Sequence, residues 1–172
     1  QRFDLHEIAI PFMEDLYEAT HENVQLAVLA GHEALFVEKI SGRHSVQIVT
    51  RVGGRLPLHA TGVGKVLLAH APPDVVRAVL DDLTPHTPRT VTQAGRMARQ
   101  LEEVRATGYA QTVDEMTVGA CSVAVPVRGV DDAVVAALGI VVPALRRDRE
   151  RLVTALRVAA HGITRSLRTG FH

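Results

Sequence analysis

The residues best able to do chemistry lie in one stretch, Gly53-Gly54-Arg55-Leu56-Pro57-Leu58-His59-Ala60-Thr61-Gly62-Val63-Gly64-Lys65-Val66-Leu67-Leu68-Ala69-His70. A strand end runs there through a small-residue elbow into a short apolar helix, leaving the Thr61 to Gly64 backbone uncovered by bulky side chains. Unpaired amides and partial positive charge at a helix start can hold a small anion or a carbonyl oxygen. A nucleotide-binding P-loop is excluded. That motif needs Gly, four residues, then Gly-Lys-Ser/Thr, whereas His59 stands five positions before Gly64 and Val66 follows Lys65.

Other reactive side chains are scattered. The 9 histidines include no i,i+4 pair and no His-x-His, so no metal site is legible in their spacing. His59, inside the elbow, is read as a structural residue that pins the loop to the sheet through its two ring nitrogens. Cys121 and Ser122 are adjacent in an apolar strand that lacks the strained Gly-x-Ser-x-Gly elbow of a nucleophile. Strand alternation lets only one of the two enter a given pocket. Asp114 and Glu115 are adjacent loop carboxylates, and acid/base catalysis requires two groups converging on one bond.

The elements that must position these groups follow from periodicity. Leu5, Ile8, Ala9, Phe12, Leu16 and Tyr17 recur at helical spacing over about residues 4–21. Residues 23–41 alternate as a hairpin turning at Ala30-Gly31-His32-Glu33, and residues 45–52 make a third, antiparallel strand. Helices are predicted over 62–71, over 73–82 behind Pro72-Pro73, and from an N-cap at Thr92 to Ala106, with Gly108 as the stop. Short strands follow at 109–112, 121–128 and 134–142, the last two interior to the sheet, and a final helix covers 146–168. Clustered strands joined by tight turns define an α+β fold with a mainly antiparallel sheet.

A length of 172 residues fits a single domain, 1–172, with a real core. Aromatic residues are 3% and Trp is absent, which disfavours a base-stacking surface for single-stranded nucleic acid. The 19 basic and 19 acidic residues cancel, so no global field attracts DNA or a membrane. Acidic residues crowd positions 1–40 and arginines crowd 146–168, so the first and last helices are expected to pack together and share ion pairs. A lone Cys121 and the lack of a long apolar run point to a cytoplasmic protein with no membrane partner.

The elbow is similar to a stretch of the IclR family of bacterial transcriptional regulators, G-x-x-L-P-x-H-x-[TS]-[AG]-x-G-K-x-[LF]-L-A. Two further segments resemble the same family in the same order. They are Gly108-Tyr109-Ala110 with Glu115, Gly119 and Ser122 to Val127, then Val134 to Leu138 with Pro143 and Arg146. The resemblance implies a GAF-like sensor domain: a six-stranded mainly antiparallel sheet with helices packed on one side and a loop-covered pocket on the other. It also implies a homodimer or tetramer, and DNA contact only through a winged helix-turn-helix domain upstream of Gln1.

Carried over residue by residue, the resemblance gives ligand contacts at Ser45, Ile48, Gly62, Val63, Thr112, Ser122, Gly139 and Val141, with Glu115 ordering the loop over the pocket and Cys121 packed against helices. Where members that bind small oxo-acids present a carboxylate, this chain has Thr112, and their last-strand S-x-S becomes Gly139-Ile140-Val141. Such a pocket is more apolar and, at Gly139, roomier, which favours an aromatic acid or lactone breakdown product over a tiny keto-acid. No cofactor, metal or catalytic residue is expected. The alternatives are a small metal-dependent or cysteine hydrolase and a stand-alone GAF-like interaction module.

Overall fold

A computed structural model of the chain describes residues 2–42, 51–145 and 148–169. The order is α1 (Arg2–Thr20), β1 (Asn23–Ala30), β2 (Glu33–Ile40), β3 (Arg55–Pro57), α2 (Gly62–Ala69), α3 (Pro73–Leu80), α4 (Ala94–Thr107), β4 (Ala110–Val113), β5 (Cys121–Arg128), β6 (Val134–Val142) and α5 (Arg149–Thr169). Six strands form one sheet in the order β3-β2-β1-β6-β5-β4, with every neighbouring pair antiparallel. The α+β class and the antiparallel six-stranded sheet agree with the sequence.

The two faces of the sheet differ in side-chain size, and that difference decides what packs on each. One face presents Val24, Leu26, Val123, Leu138 and Ile140, on which α1 and α5 lay Leu5, Ile8, Met13, Leu152, Leu156 and Ile163. The opposite face is made of Ala27, Ala34, Ala110, Ala124 and Ala137, and this shallow floor lets α2 sit close to the strands. All eight residues of α2 are buried, because α3 and α4 cover its outer side with Val75, Val79, Met97 and Leu101. A helix apolar all round must be enclosed in this way.

Helices therefore cover both faces, which corrects the expectation of helices on one side only; the unbroken apolar run of α2 needs a layer beyond it. The third strand also differs: β3 occupies Arg55–Pro57, residues 51 and 52 are outside any strand, and the remainder of the expected 45–52 segment lies outside the described residues. The last helix starts at Arg149 rather than 146. α1 and α5 do pack against each other. Their expected shared ion pairs are absent among the described residues, where the α5 arginines instead reach Glu150, Asp148 and Asp132.

Candidate ligand-binding site

The elbow is fixed by its own side chains. Thr61 adopts an extended conformation as the N-cap of α2; its hydroxyl accepts from the Gly64 amide at 3.1 Å and donates to the Pro57 carbonyl at 2.9 Å. One of the unpaired amides of the first turn is thereby satisfied. The Gly62 and Val63 amides have no acceptor among the described residues and stay available at the positive end of the helix. Gly62 lies close against β5: a Cβ there would stand 2.6 Å from Ser122 Oγ and force that hydroxyl to move.

A cavity of about 50 Å³ opens beside this turn. Its sheet side carries Thr112, Ser122, Val141, Gln25, Phe36 and Leu56, one or more residues from each of β1 to β6. Ala60, Thr61 and Gly62 close it from the elbow, and Met116, Thr117 and Ala120 from the loop between β4 and β5. Thr112 and Ser122 are directly opposed across β4 and β5, with their hydroxyls 2.5 Å apart, and Val141 is the next residue in the same row. Among the described residues, the lining holds no carboxylate and no ammonium or guanidinium group.

Four sequence-predicted contacts, Gly62, Thr112, Ser122 and Val141, converge on this cavity. Val63 and Gly139 do not line it; they face each other, and a Cβ on Gly139 would stand 2.8 Å from Val63 Cγ1. The space expected at Gly139 is thus occupied by Val63, so glycine serves close helix–sheet approach there. Ser45 and Ile48 lie outside the described residues. Cys121 is 4% exposed and joins the cluster under α1 and α5, although its atoms also border the cavity.

His59 is structural, but its anchor is a loop rather than the sheet. Its Nε2 lies 2.8 Å from the Thr84 carbonyl, and its ring stands 5.6 Å from that of His86. Burial pushes the His59 pKa below the ordinary imidazole range, with Thr84 opposing the shift.

The two loop carboxylates diverge. Asp114, in the left-handed region at φ 57°, accepts from the Gly119 amide at 2.8 Å, whereas Glu115 turns inward to Lys65 Nζ at 2.7 Å. The Glu115 carbonyl also receives the Thr90 hydroxyl at 2.6 Å. No single bond could lie between these two carboxylates, so a general acid/base pair is not formed. Lys65 is 1% exposed, shared between Glu115 and Gln100 Oε1 at 2.6 Å, and desolvation lowers its pKa against the pull of Glu115.

Sequence reasoning missed Lys65, Gln100 and Gln25. A lysine inside an otherwise wholly apolar helix must find a buried counter-charge, which was a usable signal for the first. Alternation over residues 23–41 marks Gln25 only as the polar side of a strand, yet β1 is covered on both faces. No group of three or more His, Cys, Asp or Glu side chains capable of holding a metal occurs among the described residues.

An α+β domain whose cavity combines unpaired helix amides with a hydroxyl pair and an apolar wall is a small-molecule sensing domain in form. Residues 1–165 match the family model for the bacterial transcriptional regulator IclR C-terminal domain, and the chain belongs to that family. It is 34% identical to the HTH-type transcriptional regulator KdgR of Escherichia coli K12 over 177 residues, covering 100% of this chain and 66% of KdgR. Among solved structures, it resembles an IclR homolog of Microbacterium hydrocarbonoxydans complexed with 4-hydroxybenzoate, with TM-score 0.92, 40% identity, and coverage of 96% of this chain and 69% of that one. It also resembles a double mutant of the PobR inducer-binding domain from Acinetobacter complexed with 3-hydroxybenzoic acid, with TM-score 0.80, 27% identity, and coverage of 92% and 96%. The relatives are named as transcriptional regulators, and the family is one of regulators rather than enzymes. No helix among the described residues is long and apolar enough to cross a membrane.

Proposed function

We propose that this domain is the effector-sensing and oligomerising part of a cytoplasmic bacterial transcription regulator, and that its effector is a partly apolar, aromatic organic acid. The observation that carries the ligand class is the cavity lining: the Gly62 amide and the Thr112–Ser122 hydroxyl pair on one side, and Phe36, Leu56, Met116 and Val141 on the other. A small, fully ionic keto-acid would leave much of its charge against apolar walls, at a cost of kilocalories. A ring with one acid group meets the two kinds of surface in the right proportion. The ligands named for the Microbacterium and Acinetobacter neighbours belong to that class.

At about 50 Å³, the cavity admits a ring by displacement of Met116 and its loop, and a flexible thioether is suited to such movement. Ligand seated under that loop is bound more tightly by one conformation than another. In a homodimer or tetramer, this difference shifts the population between arrangements of the DNA-reading domains.

The test is calorimetric titration and thermal shift with benzoate, 3-hydroxybenzoate and 4-hydroxybenzoate, against glyoxylate and pyruvate. At a hundredfold excess over Kd, a binding acid stabilises the fold by about 2.7 kcal/mol. Recovery of unreacted ligand at one equivalent per chain supports sensing. A rise in Tm with glyoxylate or pyruvate and none with the aromatic acids overturns the ligand class.

A further inference from the structure

We infer that Gln25 is a specificity-determining residue of this cavity, selecting ligands that carry a second oxygen acceptor at the end remote from the α2 amides. The inference rests on the effector reading above and adds a requirement to it. Gln25 sits in mid-β1, where its neighbours are Lys39 on β2 and Gly139 on β6, so its backbone is fully engaged in the sheet. Its side chain is 4% exposed and borders the cavity beside Phe36 and Val141. Its Nε2 has no hydrogen-bond partner among the described residues.

A buried amide nitrogen without an acceptor is costly, and a methionine would fill nearly the same volume without that cost. Unpaired buried donors are rare in folded proteins, and because Gln25 borders the cavity a bound ligand is a partner its amide can turn to. The group can only donate at this nitrogen, so the partner is an oxygen acceptor: a hydroxyl, a carbonyl or a second carboxylate.

Position sets the spacing of that oxygen. Gly62 stands over Ser122 and Ala124 of β5, and β6 separates β5 from Gln25. Two strand spacings place Gln25 about 10 Å from the row beneath the elbow. A ligand that reaches from the elbow amide to Gln25 carries its acid at one end and an oxygen acceptor at the other. Benzoate would meet the elbow alone, whereas a hydroxy-substituted benzoate would meet both ends.

The variant is Gln25→Met, measured by thermal denaturation without ligand and by calorimetric titration with benzoate, 3-hydroxybenzoate and 4-hydroxybenzoate. Wild type should bind its preferred hydroxybenzoate roughly tenfold or more tightly than benzoate, as a site with a buried donor rejects the analogue lacking the acceptor. In Gln25→Met that ratio should fall to within about threefold. Relief of an unpaired donor should raise the Tm of the unliganded variant by about 3 °C. A lowered Tm, which would mark a structural amide, or an unchanged ratio overturns the inference. If no aromatic acid binds wild type, the effector reading fails separately, and Gln25 is judged on stability, where an unchanged or lowered Tm rejects the assignment.

Discussion

Lys65 Nζ and Glu115 Oε1 meet at 2.7 Å inside the protein, joining the helix whose first turn borders the cavity to the loop that covers it. Lys65 belongs to α2, two residues after Val63, while Glu115 directly precedes Met116. One buried ion pair thus holds both walls of the ligand site in register.

Removing one partner of that pair strands the other charge in a dry setting. Lys65→Met or Glu115→Gln should each cost about 3–5 kcal/mol in urea unfolding. The double variant Lys65→Met with Glu115→Leu should recover much of the loss, since no unpaired charge remains. Equal, additive losses in a double-mutant cycle would show that the two groups do not act as a pair.

Thr61 sets the start of α2. Thr61→Ala should lower stability by about 1 kcal/mol, and Thr61→Ser should retain most of it, because a hydroxyl remains to cap Gly64. Urea midpoints of the two variants, compared at constant m-value, report the difference.

Close packing at Gly139 predicts a compensating pair. Gly139→Ala should cost about 1–3 kcal/mol by forcing its new methyl against Val63 Cγ1, and adding Val63→Ala should recover part of that cost. Benzoate affinity should change little, because neither side chain lines the cavity. A stability-neutral Gly139→Ala would mean that this approach is looser than described.

Acid should weaken the fold through His59 and His70. Burial lowers both pKa values, so the unfolded chain holds the proton more tightly than the folded one. Their neutral forms contribute fully above the ordinary imidazole pKa of about 6.5, and stability falls as pH drops from there through the lowered folded values. The slope of Tm against pH between 7 and 5 should flatten in His59→Gln. An unchanged slope would assign the acid sensitivity to other groups.

Cys121 should resist alkylation. It is 4% exposed, and burial raises its thiol pKa further above neutrality, so thiolate is scarce at pH 7. A thiol reagent should react slowly with the folded chain and rapidly in denaturant. Fast, complete labelling of the native protein would contradict this environment.

The sequence by itself determined the fold class and most of the elements, though not β3 at Arg55–Pro57. Periodicity 2 or 3.6, proline and glycine stops and short connections are local, so β6 at Val134–Val142 and β5 at Cys121–Arg128 could be read from neighbouring residues. The capped elbow at Thr61 and Gly62 was legible for the same reason, whereas Thr112 and Ser122 were assigned through the family resemblance. What touches what across the sheet was decided only by the tertiary structure. Whether Gly139 opens a space or admits Val63 depends on how near α2 descends, and that follows from alanines drawn from several strands. The meeting of Lys65 with Glu115, fifty residues apart, and the enclosure of Gln25 on a doubly covered strand likewise arise from long-range packing. Contact energies between distant residues leave no periodic trace in the chain, whereas backbone geometry does.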